Sequence, residues 1–139
     1  MLRILIPVDG SENALRAVRF LIKKSTLFRD PLEIHLLNVQ PSFPGTIRGV
    51  AQLALEEHQQ QGLDALADAR KLFDEANVKY CHHISVGETP EIIARYVEDK
   101  NIEQVVMGTR GLGTITGMLL GSVATKVLHL VQVPVLLVP

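Results

Sequence analysis

The sequence has 139 residues, of which 47% are apolar and 21% charged, and its formal net charge is −1. This length suits one domain, 1–139, and this balance excludes intrinsic disorder. The low net charge gives no electrostatic reason to expect nucleic acid or a membrane as a partner.

One cysteine, Cys81, excludes an internal disulfide and fits a reducing compartment. The N-terminal apolar run ILIPV is too short for a secretory signal, and no run reaches the ~18 residues of a membrane span. We therefore expect a soluble, cytoplasmic protein.

Short apolar runs predict five strands. Four of the runs are nearly continuous, as in parallel strands that are covered on both faces: 2–8, 32–39, 103–108 and 133–139. A weaker run covers 78–86.

The segment after the first run has the spacing of an amphipathic helix. Ser11 is a candidate N-cap, Glu12 suits the positive end of the helix dipole, and Lys23 and Lys24 suit its C-terminal end. The residues predicted to face the core recur at helical spacing: Ala14, Leu15, Val18, Leu21 and Ile22.

A second helix is predicted over 50–76, with a polar first half and more strongly patterned later turns. Its predicted buried stripe consists of Leu63, Leu66, Ala67, Leu72 and Phe73. The preceding segment QPSFPGTIRG, with two prolines and two glycines, predicts a long mobile loop over 40–49.

Two more helices follow the weaker strand. The third has a clear start, with Thr89 as candidate N-cap, Pro90 at the first helical position and Glu91 behind it. Its predicted inward residues are Ile92, Ile93, Tyr96 and Val97. The last helix is predicted from Ser122 to Val131. Its predicted inward residues are Val123, Val127, Leu130 and Val131.

The alternation of strands and helices predicts an open parallel sheet with right-handed crossovers and helices on both faces. Ligands of such sheets bind beyond the carboxyl ends of the strands.

Pro7, at the end of the first predicted strand, cannot donate to a sheet ladder, which predicts that pairing ends or distorts there. The carboxylate of Asp9 is expected to project beside the first helix, either toward a ligand or as part of a cap with Ser11.

The loop GTRGLGTITGMLLGS follows an apolar run and contains five glycines. It holds neither the G-x-x-x-x-G-K-[ST] phosphate loop nor a G-x-G-x-x-G dinucleotide fingerprint. Gly108 and Gly111 would let backbone N–H groups approach an anion without interference from a Cβ atom. Gly121 and Ser122 then begin a helix whose free N–H groups favour phosphate, and Arg110 adds a cation. A polyphosphate site is predicted, with a ligand-free surface loop as the alternative.

The spacing G-x2-G-x9-G-[ST], formed by Gly108, Gly111, Gly121 and Ser122, resembles the nucleotide-binding signature of the universal stress protein family. The segments ILIPVDGSENALRAV, LLNVQP, VGETPEII and VPVLLVP are similar to the family's other segments, in the same order, so the resemblance covers effectively the whole chain. It implies a single Rossmann-like α/β domain with a five-stranded parallel sheet in the order 3-2-1-4-5. It also implies binding of ATP, or of AMP or ADP, with or without Mg²⁺.

The resemblance further implies which residues surround the nucleotide. The adenosine side would be lined by Pro7, Val8, Asp9 and Val39. The ribose and phosphates would be wrapped by Met107, Gly108, Arg110 and Gly111. The phosphate tail would be closed by Gly121, Ser122 and Val123. Members of the family commonly dimerise through the last strand, here Val133 to Val138, and an exposed apolar edge strand favours pairing with a second copy.

The triplet of Cys81, His82 and His83 suggests a metal site. Consecutive strand residues point to opposite faces, so these three side chains cannot converge without a distortion, and the chain has no second cysteine. The sequence therefore predicts no metal site, with structural or solvent-exposed roles for the triplet.

Three functions are open on the sequence alone. The leading hypothesis is a homodimeric, ATP-binding stress-response protein whose nucleotide occupancy alters its partners or its stability. The first alternative is a slow ATP hydrolase or an autophosphorylating enzyme, for which no convincing base is visible, so that no catalytic residue is assigned. The second alternative is a dimeric interaction module that does not use nucleotide.

Overall fold

The computed structural model describes residues 1–42, 48–109 and 120–139, with side chains from residue 55 onward in the second helix. The described strands are β1 (Leu2–Pro7), β2 (Leu32–Gln40), β3 (Tyr80–Val86), β4 (Gln104–Gly108) and β5 (Val135–Val138). The helices are α1 (Glu12–Lys24), α2 (Arg48–Glu75), α3 (Thr89–Asp99) and α4 (Ser122–Leu130), with a short 3-10 turn at Ser25–Leu27. The sheet order is β3-β2-β1-β4-β5 and neighbouring strands are parallel, which confirms the predicted fold.

Each face of the sheet has its own apolar core. Ile4 and Ile6 of β1 pack in one buried cluster with residues of α1 and α2, whereas Leu5 packs in another with residues of α3 and α4. Because both faces are covered, consecutive residues in the middle of β1 and β2 are buried, Ile4–Ile6 in β1 and Ile34–Asn38 in β2. This double burial explains the nearly continuous apolar runs in the sequence.

The starts of α1 and α3 differ in how they are capped. Ser11 caps α1 as predicted, since its Oγ accepts a hydrogen bond from the N–H of Ala14 at 3.2 Å. In α3 the N-cap is Glu88, whose carbonyl accepts from the N–H of Ile92 at 3.0 Å, so the prediction of Thr89 was wrong by one residue. Pro90 is then the second helical residue. Both positions lie in the first turn, where an N–H has no intrahelical acceptor, so proline fits either one.

Two asparagines terminate helices in the left-handed conformation. Asn77 after α2 has φ 55° and Asn101 after α3 has φ 52°. The next residue in each case returns a hydrogen bond to the helix, from the N–H of Val78 to the carbonyl of Phe73 at 3.0 Å in the first. Val78 therefore closes α2 and is not part of β3, which begins at residue 80 instead of the predicted 78.

The buried stripe of α2 differs from the predicted one. Leu66 and Phe73 are buried as predicted, but Ala67 is exposed and Ala69 is buried in its place. Leu63 and Leu72 are half-buried. The helix begins at residue 48, so the last two residues of the predicted 40–49 loop are helical, and residues 43–47 of that loop lie outside the described ranges.

The inward face of α4 consists of Ala124 and Val127, which are buried against the sheet. Val123 and Val131 pack beside them as predicted. Leu130 is 45% exposed, so its predicted inward position was wrong. The buried face instead continues from Val127 to Val131, four residues later, and Leu130 lies to the side of it.

Candidate functional site

β1 and β4 separate before their carboxyl ends, and Pro7 explains why. The carbonyl of Arg3 accepts from the N–H of Glu103 at 2.9 Å, on the side of β1 that faces β4. Pro7 lies four residues further along and turns the same way, so its missing N–H faces β4. The registered pairing with β4 ends at Leu5, whereas pairing with β2 continues through Pro7. The predicted end of pairing at Pro7 is thus confirmed on the β4 side, where the strand order also reverses.

Asp9 closes the turn between β1 and α1. Its Oδ1 accepts a hydrogen bond from the N–H of Ser11 at 2.9 Å, and its side chain is exposed. The N–H of Ser11 and the N–H of Ala14 thus both have side-chain acceptors within the chain, from Asp9 and Ser11 respectively. The capping interpretation of Asp9 is therefore the one that the structure supports, and its contact with a ligand stays a prediction.

A buried polar pair beneath the strand ends was not anticipated from the sequence. Asn38, which is 2% exposed, donates from Nδ2 to the carbonyl of Val8 at 2.9 Å. Gln40, which is 9% exposed, donates from Nε2 to Oδ1 of Asn38 at 2.7 Å. These bonds hold the end of β1 against β2. The available signal was the placement of two polar residues in the otherwise apolar run LLNVQP.

Two residues predicted to line the nucleotide have their side chains in the core. Val8 is 2% exposed and packs with α1 and α2, and Met107 is 6% exposed and packs with α3 and α4. Only their backbone atoms can therefore reach a ligand. Val39 is half-buried on the α3 side of the sheet.

Gly108 has a reason within the fold to be a glycine. A Cβ atom at this position would lie 2.5 Å from the backbone oxygen of Asn13 in α1 and would also meet the Asn13 side chain. Contacts under 3.0 Å force a neighbour to move, and here that neighbour includes helix backbone. What approaches Gly108 closely in the fold is α1, so the glycine has a reason that is independent of a ligand, and its contact with a nucleotide stays a prediction.

The two ends of the glycine-rich loop lie side by side. The N–H of Thr109 donates to the carbonyl of Val138 at 3.0 Å, and the N–H of Gly121 donates to the carbonyl of Thr109 at 3.3 Å. The start of α4 is therefore fixed beside the end of β4. The predicted residues Arg110 and Gly111 lie outside the described ranges.

The start of α4 has the properties of an anion site. Its N-cap is Gly121, which has no side chain to accept from the first turn, and the N–H of Thr125 is the first to bond to the Gly121 carbonyl, at 3.0 Å. The N–H groups of the three residues before Thr125 have no acceptor within the helix. Ser122 is exposed and Val123 half-buried at this position. N–H groups without an acceptor in the helix and the positive end of the helix dipole favour a negatively charged group.

A model of the universal stress protein family matches residues 1–139. The chain belongs to the universal stress protein family. Universal stress protein MJ0531 of Methanocaldococcus jannaschii is 31% identical to it over 137 residues, which cover 98% of this chain and 81% of that one.

Solved structures related to this universal stress protein share its fold. MJ0577 of the same archaeon superposes with a TM-score of 0.79 at 26% identity, over 98% of this chain and 94% of that one. An Arabidopsis thaliana member solved with AMP bound has a TM-score of 0.71 at 20% identity, over 99% and 91% of the two chains. A universal stress protein in complex with cAMP has a TM-score of 0.74 at 22% identity, over 99% and 97%.

Within the described ranges of this universal stress protein, no helix is both long enough and apolar enough to cross a membrane.

Proposed function

We propose that this universal stress protein binds an adenine nucleotide, ATP, ADP or AMP, at the carboxyl ends of β1, β2 and β4. The observation that carries the proposal is the contrast between two helix starts at this edge. The start of α1 is capped by Ser11, whereas the N-cap of α4 is a glycine without a capping side chain, beside the end of β4. The relatives solved with AMP and with cAMP support adenosine as the organic part of the ligand.

In this proposal the phosphates bind at the start of α4. The N–H groups of Ser122 and Val123 and the hydroxyl of Ser122 would donate to the phosphate oxygens, and Arg110 and Gly111 would add contacts from the loop. The adenosine would lie along the backbone of Pro7, Val8 and Asp9 and against Val39. The exposed carboxylate of Asp9 would be the group available to a Mg²⁺ ion that accompanies ATP. Nucleotide occupancy would then alter the stability of the protein or its partners in a stress response.

The substitution Ser122→Glu tests the placement of the phosphates, with Ser122→Gln as its matched control. A carboxylate at the start of a helix is favourable for the helix by about 0.3–1 kcal/mol but repels phosphate. We therefore expect the melting temperature of the nucleotide-free protein to stay the same or rise. Its affinity for ATP is expected to fall at least about tenfold, or ~1.4 kcal/mol. Gln has the same size without the charge, so that variant keeps most of the affinity. Isothermal titration calorimetry of nucleotide-stripped protein with ATP, ADP and AMP provides the measurement.

Three results would contradict the proposal in different ways. Equal losses in the Glu and Gln variants would mean that size, and not charge, matters at Ser122. Full affinity in the Glu variant would move the phosphates away from α4. Failure of the unmodified protein to bind any of the three nucleotides would overturn nucleotide binding itself and favour the interaction module.

We also propose that the protein forms a homodimer through β5. This strand is at the end of the sheet and pairs with β4 on one side. The carbonyl of Pro134 accepts from the N–H of Val105 in β4, and the carbonyl of Val138 accepts from the N–H of Thr109 just after β4, both at 3.0 Å. The alternate residues Val135 and Leu137 therefore direct their backbone groups outward. The outward N–H and C=O groups of this apolar edge strand can form hydrogen bonds with the same strand of a second copy. The strand itself begins at residue 135, two residues later than predicted.

The substitution Val135→Pro tests the dimer, with Val135→Ala as its control. Proline removes the outward N–H at the first residue of the strand, where it is tolerated, and leaves the ladder with β4 in place. Both variants lose the valine side chain. Light scattering after size exclusion is expected to give a monomer for the proline variant and a dimer for the alanine variant, with circular dichroism confirming that both are folded. A folded proline variant that is still dimeric, or an unmodified protein that is monomeric, would refute pairing through β5.

A further inference from the structure

A cluster of His35, Cys81 and His83 lies on the α3 face of the sheet, away from the carboxyl ends of the strands. The register of β2 and β3 pairs His35 with Cys81, and His83 is two residues further along β3, on the same face. One ligand atom from each of the three residues lies within 4.8 Å of the others. His35 is 5% exposed, and the other two are half-buried.

The triplet of Cys81, His82 and His83 does not converge on one point, because His82 points to the other face of the sheet, where it lines a hollow with Phe73 and Asp74 of α2. The third donor comes instead from the adjacent strand. His35 could not be assigned to the cluster without the pairing of β2 with β3.

The groups around His35 are of the kind that orient a metal-binding histidine through hydrogen bonds. Its Nδ1 is hydrogen-bonded to the hydroxyl of Tyr96 at 2.7 Å, and the Tyr96 ring contacts His83 edge-on with centroids 5.3 Å apart. Its Nε2 is buried and makes no hydrogen bond within the described part of the chain, with Oε1 of Glu33 3.6 Å away. A metal on either nitrogen would leave the other one beside a hydroxyl or a carboxylate, the partners that usually orient such ligands.

Burial sets the protonation of the cluster in the absence of metal. It lowers the pKa of His35 and His83, with Lys100 adding to the effect at both and Glu33 opposing it at His35. It raises the pKa of the Cys81 thiol and of the Tyr96 phenol. Cys81 is therefore not an activated nucleophile, and Tyr96 is suited to hydrogen bonding.

We propose that His35, Cys81 and His83 bind a zinc ion. Zinc bonds of about 2.0–2.1 Å to nitrogen and 2.3 Å to sulfur in tetrahedral geometry place two nitrogens and one sulfur roughly 3.3–3.6 Å apart. The donor atoms lie within 4.8 Å of one another, so each pair has to close by at most about 1.2–1.5 Å, within the reach of small rotations of the half-buried Cys81 and His83 side chains. One Zn–S bond forms as the thiol S–H bond breaks, its proton passes to solvent, and no electron is transferred. Water occupies the fourth position.

The zinc site is separate from the proposed nucleotide site and does not depend on it. His35 lies five residues before the end of β2 at Gln40, which is roughly 16 Å along the strand. Its cluster faces α3, whereas the proposed phosphate site is at the start of α4. Loss of one site is therefore expected to leave the other intact.

Metal titrations of the reduced full chain test the proposal. Zinc is titrated in competition with a chromogenic chelator, and Co²⁺ serves as a spectroscopic substitute that reports four-coordination and a thiolate-to-cobalt charge-transfer band. We expect one zinc ion per chain and a higher melting temperature in its presence. Cys81→Ser is expected to abolish the charge-transfer band and weaken zinc binding at least tenfold, and His83→Gln to weaken it similarly. The control His82→Gln changes the neighbouring histidine on the other face and is expected to keep both the band and the affinity.

The outcomes separate a built site from adventitious binding. A missing charge-transfer band in the unmodified protein, or an equal loss in the His82 and His83 variants, would overturn the proposal. If Cys81→Ser does not fold, as judged by circular dichroism, His83→Gln on the edge strand carries the test. Retained ATP affinity in His83→Gln would show that its zinc defect is local.

Discussion

The substitution Gly108→Ala is expected to destabilise the protein even when no nucleotide is present. The added methyl group would lie 2.5 Å from the backbone oxygen of Asn13, so α1 or the end of β4 must move by about half an ångström to reach the 3.0 Å that real contacts respect. Overpacking of this kind costs about 1–3 kcal/mol, and we expect a loss of about 2 kcal/mol because helix backbone is involved. For 139 residues the entropy of unfolding is about 0.3 kcal/mol/K, so the melting temperature is expected to fall by about 7 °C.

Urea unfolding of nucleotide-free protein, followed by circular dichroism, measures this loss. Asn13→Ala in the Gly108→Ala background removes the side-chain contact but not the contact with the backbone oxygen, so we expect only partial recovery. The reasoning would be refuted if Gly108→Ala left the free energy of unfolding unchanged within about 0.5 kcal/mol and abolished ATP binding. That result would mean that the space at Gly108 serves a ligand and not α1.

Two further predictions concern buried polar groups. Asn38→Ala leaves the carbonyl of Val8 and the amide of Gln40 without their partner, so urea unfolding is expected to show a loss of about 2–3 kcal/mol; no loss would mean that water replaces the side chain. Because burial lowers the pKa of His35 and His83, the unfolded chain binds these protons first as the pH falls through 6.5. The free energy of unfolding in EDTA is therefore expected to decrease between about pH 7.5 and 5.5, and less steeply in His83→Gln; an identical slope in that variant would contradict the assignment.

Local sequence patterns alone determined the class of fold and the order of its elements. A strand that is buried on both faces gives a nearly continuous apolar run, whereas a helix that is buried on one face repeats its apolar residues at helical spacing. The runs therefore mark the parallel strands, and the stripes mark the helices that connect them. The cap of α1 at Ser11 was also predictable, since it depends on residues three positions apart. The phosphate-binding prediction at Ser122 rests on the same kind of local signal, a glycine before a helix.

Contacts between distant segments were decided only by the tertiary structure. Nothing near Gly108 indicates that Asn13, far away in the sequence, occupies the space of its missing side chain. Nothing near Cys81 indicates His35, because a slip of one residue between β2 and β3 would have turned the two side chains to opposite faces. The register of a parallel pair is set by the packing of both faces and by the helix that crosses between the strands. The reason for Gly108 therefore depends on how α1 packs on β4, and the cluster of His35, Cys81 and His83 depends on the register of β2 with β3.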